Sequence, residues 1–265
     1  MISRNKAKFI VSLQRKKVRD EEGLYVIEGD KIVREFLSAG VPVRMLAAKP
    51  EFLKSLPADL INLAADVEVV SFEDLRQIST LKTPHNALAV VCIQEKEISI
   101  PSLLDELCIA LEFVQDPGNM GTIIRAAGWF GLKNIVCSSD CVDVYNPRVI
   151  QASMGALLHV NVFYHDLKKL VSAAIDRNIP VFGAVLEGDP IYSHPLNNKG
   201  IILLGNESKG ISAGLMPYVS HKIMIPGFSE AKPGIDSLNV GMAASVVFSE
   251  FRRRGEMLSQ QLQPL

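Results

Sequence analysis

The sequence predicts an α/β protein built on a mostly parallel sheet, with a small α/β unit ahead of it. Three observations carry this. From Leu107 onward, apolar runs of strand length alternate with segments of helical periodicity. The run "LCIALEFV" is almost wholly apolar, as strands covered on both faces are. The charged, proline-containing stretch "QEKEISIPSLLDE" separates this region from an N-terminal part with its own strands and helices. The expected division is therefore 1–94, a linker at 95–104, and 105–265.

In the first part, "KAKFIVSLQRKKVR" reads as one basic amphipathic helix and "LYVIEG" as a short strand ending in glycine. "GDKIVREFLSAG" places apolar residues at helical spacing and stops at a glycine. "VRMLAA", "VEVVS" and "ALAVVCI" read as strands. "SFEDLRQIS" opens with Ser71 and has Asp74 three residues later, close to a capping box. In the second part the strands are "LCIALEFV", "NIVCSS", "NVFYH", "PVFGAVL", "GIILLGN" and "KIMIP". The helices between them are "MGTIIRAAGWFG", closed by Gly131, "PRVIQASMGALLHV", opened by Pro147, "DLKKLVSAAIDRN" and "GLMPYVS". "SLNVGMAASVVFSEFRRR" forms the last helix.

Composition narrows the function classes. The chain is 48% hydrophobic, too apolar for a disordered protein. No segment has the roughly 20 apolar residues needed to cross a bilayer. The N-terminus has basic residues but no apolar core of a secretory signal. Four irregularly spaced cysteines imply a reducing, cytoplasmic setting, and Cys137 and Cys141 lack the second pair a zinc set needs, so no metal is expected. The formal net charge is −1, yet seven Lys/Arg and no acid lie between Arg4 and Arg19. A solvated helix face and a surface for backbone phosphates both account for that run; on the second reading Lys16, Lys17 and Arg19 are the phosphate contacts. A second basic cluster spans 252–254.

Three stretches carry candidate chemistry. "GNESKG", 205–210, has the glycine spacing of a phosphate loop but lacks the terminal Gly-Lys-Ser/Thr, and Glu207 would repel a polyphosphate. A tight turn, or a clamp for a neutral or cationic ligand, remains. In "FVQDPGNMGTIIRAAGWFG" a strand runs through a turn into a helix, which in an open parallel sheet is where ligands bind. Asn119 is there either a helix cap or a site residue, and Arg125 either solvated or functional. In "IMIPGFSEAKPGIDSLNVGMAASVVF" a strand ends at Pro226, a Gly/Pro-rich loop follows, and Ser237-Leu238-Asn239 opens a small-residue helix.

Taken together, Asn119-x-Gly121-x-x-x-Arg125, then Gly205-x-Glu207-x-x-Gly210, then Ile225-Pro226 with Ser237-Leu238-Asn239-Val240, resemble the three motifs of the SpoU family of the SPOUT methyltransferases. The resemblance covers about 105–256. The N-terminal part, with its basic start, "VIEGDKIVREFL" and "LKTPHNALAVV", is similar to the substrate-binding domain that often precedes it. One departure is visible: "GFSEAKPGID" between Pro226 and Ser237 is longer than the family's loop.

The resemblance implies a C-terminal trefoil knot and a homodimer. It implies S-adenosyl-L-methionine as cofactor and a ribose 2′-hydroxyl of structured RNA as acceptor, with ribosomal RNA preferred to transfer RNA. It assigns cofactor contacts to Leu204, Gly205, Ile225, Pro226, Leu238 and Asn239. Catalytic or supporting roles fall to Arg125, Asn119, Glu207, Ser237 and Asn239, with Arg125 serving its own or the neighbouring subunit. Two rival classes stay open: a catalytically silent RNA-binding or ribosome-assembly protein, and a nucleotide-binding enzyme using 203–210.

Overall fold

The computed structural model describes residues 2–228 and 237–261, with side chains described through 255. The chain divides into two compact units. The first comprises the residues up to Glu95 together with Asp143–Leu158; the second comprises Lys96–Val142 and His159–Leu265. Residues 143–158, which the sequence division ran together with the C-terminal region, thus pack into the first unit.

In the first unit the elements are α1 (Arg4–Ser12), α2 (Lys16–Glu22), β1 (Leu24–Glu28), α3 (Asp30–Ser38), β2 (Val43–Ala48), α4 (Pro50–Lys54), α5 (Ala58–Ile61), β3 (Val67–Val69), α6 (Phe72–Ile78) and β4 (Ala87–Cys92). The strands form a sheet of order β1-β4-β2-β3. β4 is antiparallel to β1 and β2, and β2 is parallel to β3. Alternate strand residues enter two cores, as strand geometry requires. Tyr25, Ile27, Leu46 and Ala89 join Ile32, Val33, Phe36 and Leu37 of α3; Leu24, Val26, Met45 and Val90 join Ile10, Leu13, Leu75 and Ile78. Both sheet faces are covered, which is why these strands read as continuous apolar runs.

The expected single basic helix is two helices. Between them, the carbonyls of Leu13 and Gln14 accept from the Arg19 guanidinium at 2.8 Å each. Arg19 is 2% exposed and its Nε donates to Asp143 Oδ2 at 3.1 Å. Burial and pairing make Arg19 a structural cation, not a contact for RNA. Lys16 and Lys17 stay exposed, each facing an acid one turn on, Asp20 at 2.7 Å and Glu21 at 3.8 Å.

The second unit contains α7 (Ile100–Leu103), β5 (Leu107–Leu111), α8 (Pro117–Trp129) and β6 (Asn134–Cys137). The chain then passes through the first unit, where α9 (Pro147–Ser153) lies, and returns. β7 (Asn161–Tyr164), α10 (Leu167–Asp176), β8 (Val181–Pro190), β9 (Gly200–Leu204), β10 (His221–Met224) and α11 (Val240–Gln261) follow. The six strands pair in the order β10-β8-β9-β5-β6-β7, every neighbour parallel.

Several expectations shift in detail. The segment read as a linker holds α7. The helix expected over 147–160 stops at Ser153, because Met154 and Gly155 take φ of 51° and 84°. "GLMPYVS" keeps only a 3-10 turn at Met216–Tyr218. The basic cluster at 252–254 is consumed internally: Arg252 caps the end of α8 through the carbonyls of Phe130 and Gly131, while Arg253 and Arg254 hold the buried Glu250.

Candidate active site

Three loops of the second unit meet at the carboxyl ends of the central strands, and local chemistry explains each. β5 leads to Phe113, which sits at φ 60°, a left-handed conformation unusual for a bulky residue. Its N–H donates to Ser138 Oγ at 3.0 Å, and the next N–H, of Val114, donates to Cys141 Sγ at 3.3 Å. Cys141 is held down to about 6, first by the hydrogen bond from Cys137, then by Ser138 and these backbone N–H groups. The turn then enters α8 with Asp116 as its cap, accepting from Asn119 N at 2.8 Å, and Pro117 in the first turn. Asp116, not Asn119, is therefore the helix cap, and the Asn119 side chain is released for other bonds.

β9 ends in the second loop. Asn206 and Gly210 exchange backbone hydrogen bonds at 3.0 and 2.9 Å, closing a five-residue ring. Asn206 Oδ1 accepts from Ser208 N and Lys209 N, and its Nδ2 donates to Phe113 O at 3.0 Å, tying this loop to the first. Gly205 has no room for a side chain: a Cβ there would lie 2.2 Å from the Gly210 carbonyl carbon. The ring tip exposes Glu207, Ser208 and Lys209. The stretch closes as a tight turn, and the turn carries a carboxylate outward.

The third loop enters α11. Asn239 Oδ1 accepts from Gly241 N at 3.0 Å and Met242 N at 3.3 Å, which makes it the cap of that helix. Its Nδ2 donates to Asn119 Oδ1 at 2.8 Å, and Asn119 Nδ2 donates to Glu207 Oε1. Glu207, Asn119 and Asn239 thus form a continuous relay linking residues far apart in sequence. Because a carboxylate only accepts, the relay also sets both amide orientations.

The other expected residues are placed as follows. Leu204 is buried at the strand end, its carbonyl accepting from Glu112 N at 2.9 Å. Gly205, Ile225 and Leu238 make no backbone hydrogen bond to another described residue outside regular elements. Pro226 is half-buried beside Ile225, and Ser237 is exposed. Arg125 is exposed on α8, outside the relay, with no hydrogen-bond or ion-pair partner among the described residues. The longer loop expected at 227–236 falls outside the described residues from 229 on. Among the described residues no group of three His, Cys, Asp or Glu could hold a metal ion, and no helix is long and apolar enough to cross a membrane. Sequence reading missed Asp116 and Asn206; an Asp before Pro-Gly and an Asn after a strand-ending glycine were the signals available.

This arrangement has close counterparts. The profile of the SpoU rRNA methylase family matches residues 106–249, and that of the MRM3-like substrate binding domain matches 4–89. The chain belongs to the SpoU rRNA methylase family. Within that family it is 27% identical over 241 residues to the 23S rRNA (guanosine(2553)-2′-O)-methyltransferase RlmP of Bacillus subtilis, covering 91% of this chain and 93% of the other. It is 26% identical to the mitochondrial rRNA methyltransferase 3A of Danio rerio, covering 92% and 67%. Its fold matches a TrmH-family protein of Porphyromonas gingivalis with a TM-score of 0.84 at 35% identity, over 96% of this chain and all 100% of that one. An AdoMet-bound rRNA methyltransferase from Sinorhizobium meliloti shares the fold with a TM-score of 0.82 at 23% identity, over 96% of both chains.

Proposed function

We propose that this SpoU-family chain is an S-adenosyl-L-methionine-dependent RNA 2′-O-ribose methyltransferase acting on ribosomal RNA. The observation that carries the reading is the convergence of the three motif loops through the Glu207–Asn119–Asn239 relay. The names of the relatives, which specify ribosomal RNA and 2′-O-methylation, support the substrate class. When bound, S-adenosyl-L-methionine supplies an electrophilic methyl group. The residues fit such a ligand: the backbone groups of Gly205, Ile225 and Leu238 suit a nucleoside, and an exposed carboxylate at Glu207 tolerates a cation where it would repel a triphosphate.

The work of the chain is positioning. The relay locks the carboxyl ends of β5 and β9 to the start of α11, fixing the walls of the pocket. Arg125 provides the fork that orients a phosphate or ribose oxygen and stabilises negative charge as the 2′-oxygen attacks. A guanidinium stays charged in proteins and is a poor base, so the ribose proton would pass to solvent water rather than to Arg125, and the donor would leave as the neutral thioether S-adenosyl-L-homocysteine.

A homodimer belongs to this reading. Arg125 has no partner within the described chain, and the same helix carries Trp129 at 85% exposure, with Met242 of α11 at 59%. An unpaired cation beside exposed apolar side chains fits a face covered by a second copy, with Arg125 acting in the neighbouring subunit. A trefoil knot of the C-terminal chain and a cytosolic location, which four free thiols favour, complete the proposal.

The test has two arms. S-adenosyl-L-methionine should raise the melting temperature, whereas ATP with magnesium should not. Labelled methyl transfer to protein-free ribosomal RNA should appear as a 2′-O-methylated nucleotide on ribose mapping. Stabilisation by ATP alone, or binding of the methyl donor without transfer to any ribosomal RNA or precursor particle, would overturn it in favour of a nucleotide enzyme or a silent RNA-binding protein.

A further inference from the structure

Of the seven cations between Arg4 and Arg19, four are engaged inside the first unit. Lys6 bonds Asp66 and Glu68, Lys16 and Lys17 face Asp20 and Glu21, and Arg19 is buried on Asp143. The other three, Arg4, Lys8 and Arg15, are exposed and have no acidic partner among the described residues. All three line one groove of about 980 Å³. Its two acids are already committed, Glu73 facing Arg76 at 4.0 Å and Asp74 capping α6.

The placement is unfavourable for α1 on its own. Arg4 and Lys8 are like charges one turn apart, and they lie in the first turns, where the helix dipole opposes cations and where α1 has no acid. Such an arrangement is relieved by an anionic ligand lying along the groove.

A second groove of about 700 Å³ adjoins it through the shared Gln14. It is lined by Gln14, Asn146, Arg148 and Gln151. Arg148 is exposed and unpaired among the described residues. The Gln14 and Gln151 amides have no partner there either, and Asn146 spends its Oδ1 on Arg148 N, keeping its NH₂ free. Cations for phosphates next to amides for ribose hydroxyls and base edges suit RNA better than a simple polyanion.

We infer that these two joined grooves are the RNA-gripping surface of the first unit. Arg4, Lys8, Arg15 and Arg148 contact phosphates, and the Gln14, Asn146 and Gln151 amides read hydroxyls and bases. This rests on the ribosomal RNA reading above and replaces the sequence-based choice of Arg19. Several residues of the surface come from 143–158, the segment that joins the first unit from the middle of the chain.

The test measures affinity of the full-length protein for protein-free ribosomal RNA across a salt series. The variant R4Q/K8Q/R15Q/R148Q should bind roughly tenfold or more weakly, with a salt slope shallower by about 3. The comparison variant K168Q/K169Q/R177Q, on α10 and just beyond it, removes three exposed cations from the second unit and should leave the slope unchanged. Gln151→Ala should narrow the preference for RNA over DNA of the same sequence. An unaltered rise in melting temperature with S-adenosyl-L-methionine verifies that each variant is folded. A wild-type slope in the first variant, or an equal loss in the comparison variant, overturns the inference while leaving the methyltransferase reading intact. Equal binding of poly-glutamate, lost in the same variant, overturns it in favour of an acidic protein partner. Failure of the wild type to bind ribosomal RNA sinks both.

Discussion

Gly205 and Asn119 show how single residues hold the site. A methyl group at position 205 would collide with backbone rather than with a movable side chain. Gly205→Ala therefore opens the ring of 206–210; the melting-temperature rise with S-adenosyl-L-methionine should disappear while far-UV circular dichroism stays unchanged. Arg125→Lys keeps the charge but loses the fork. The kcat should fall about 100-fold or more with the methyl-donor response retained, and near wild-type turnover would remove Arg125 from its role. The motif resemblance singled out Asn119, Glu207 and Asn239, and the structure joins these three by hydrogen bonds. Their division of labour was not legible. The Asp before Pro-Gly marks Asp116 as the cap, but nothing in the sequence says that Asn119 then joins the relay, since that depends on side-chain directions. Arg19 was misread for a related reason: its partner Asp143 lies 124 residues away.

At the scale of elements, α6 was the most legible. The capping box is present, with Ser71 Oγ accepting from Asp74 N at 3.1 Å and Asp74 Oδ2 accepting from Ser71 N at 2.9 Å. Those bonds, the Ser71 N–H first, hold the Asp74 carboxyl below the usual carboxylate range. A lowered folded-state value contributes stability that is fully present above the unfolded value of about 3.9 and fades as pH falls through the folded one. Asp74→Asn should cost about 1 kcal/mol at pH 7, and the gap to wild type should close as pH falls below the unfolded value of about 3.9 and through the lower folded one. A gap that persists there would mean lost packing, not lost charge. The α1–α2 break was illegible, because an amphipathic period continues across it and the interruption comes from Arg19 drawing two carbonyls out of the ladder. The parallel strands were legible for the opposite reason: burial on both faces leaves an unbroken apolar signature.

Across the whole molecule, the order of the two units could be read, but the excursion at 143–158 could not. Its residues have ordinary helical periodicity, and only three-dimensional packing of Ile150, Tyr145 and Leu157 against the core around Tyr25 assigns them to the first unit. A fragment of residues 1–95 therefore lacks core side chains and leaves the buried Arg19 without its carboxylate, a loss of about 3–5 kcal/mol by itself. It should melt without cooperativity, and a fragment in which 143–158 is fused through a flexible linker should regain a cooperative transition; cooperative melting of 1–95 alone would refute this. The same excursion governs the timetable of birth on the ribosome. The N-terminal half cannot finish folding when its own stretch emerges, but must wait for the chain to be elongated from Glu95 to Leu158, roughly 3–12 s of translation. During that interval the nascent chain presents an incomplete apolar surface, which makes it a client for chaperones before the second half exists.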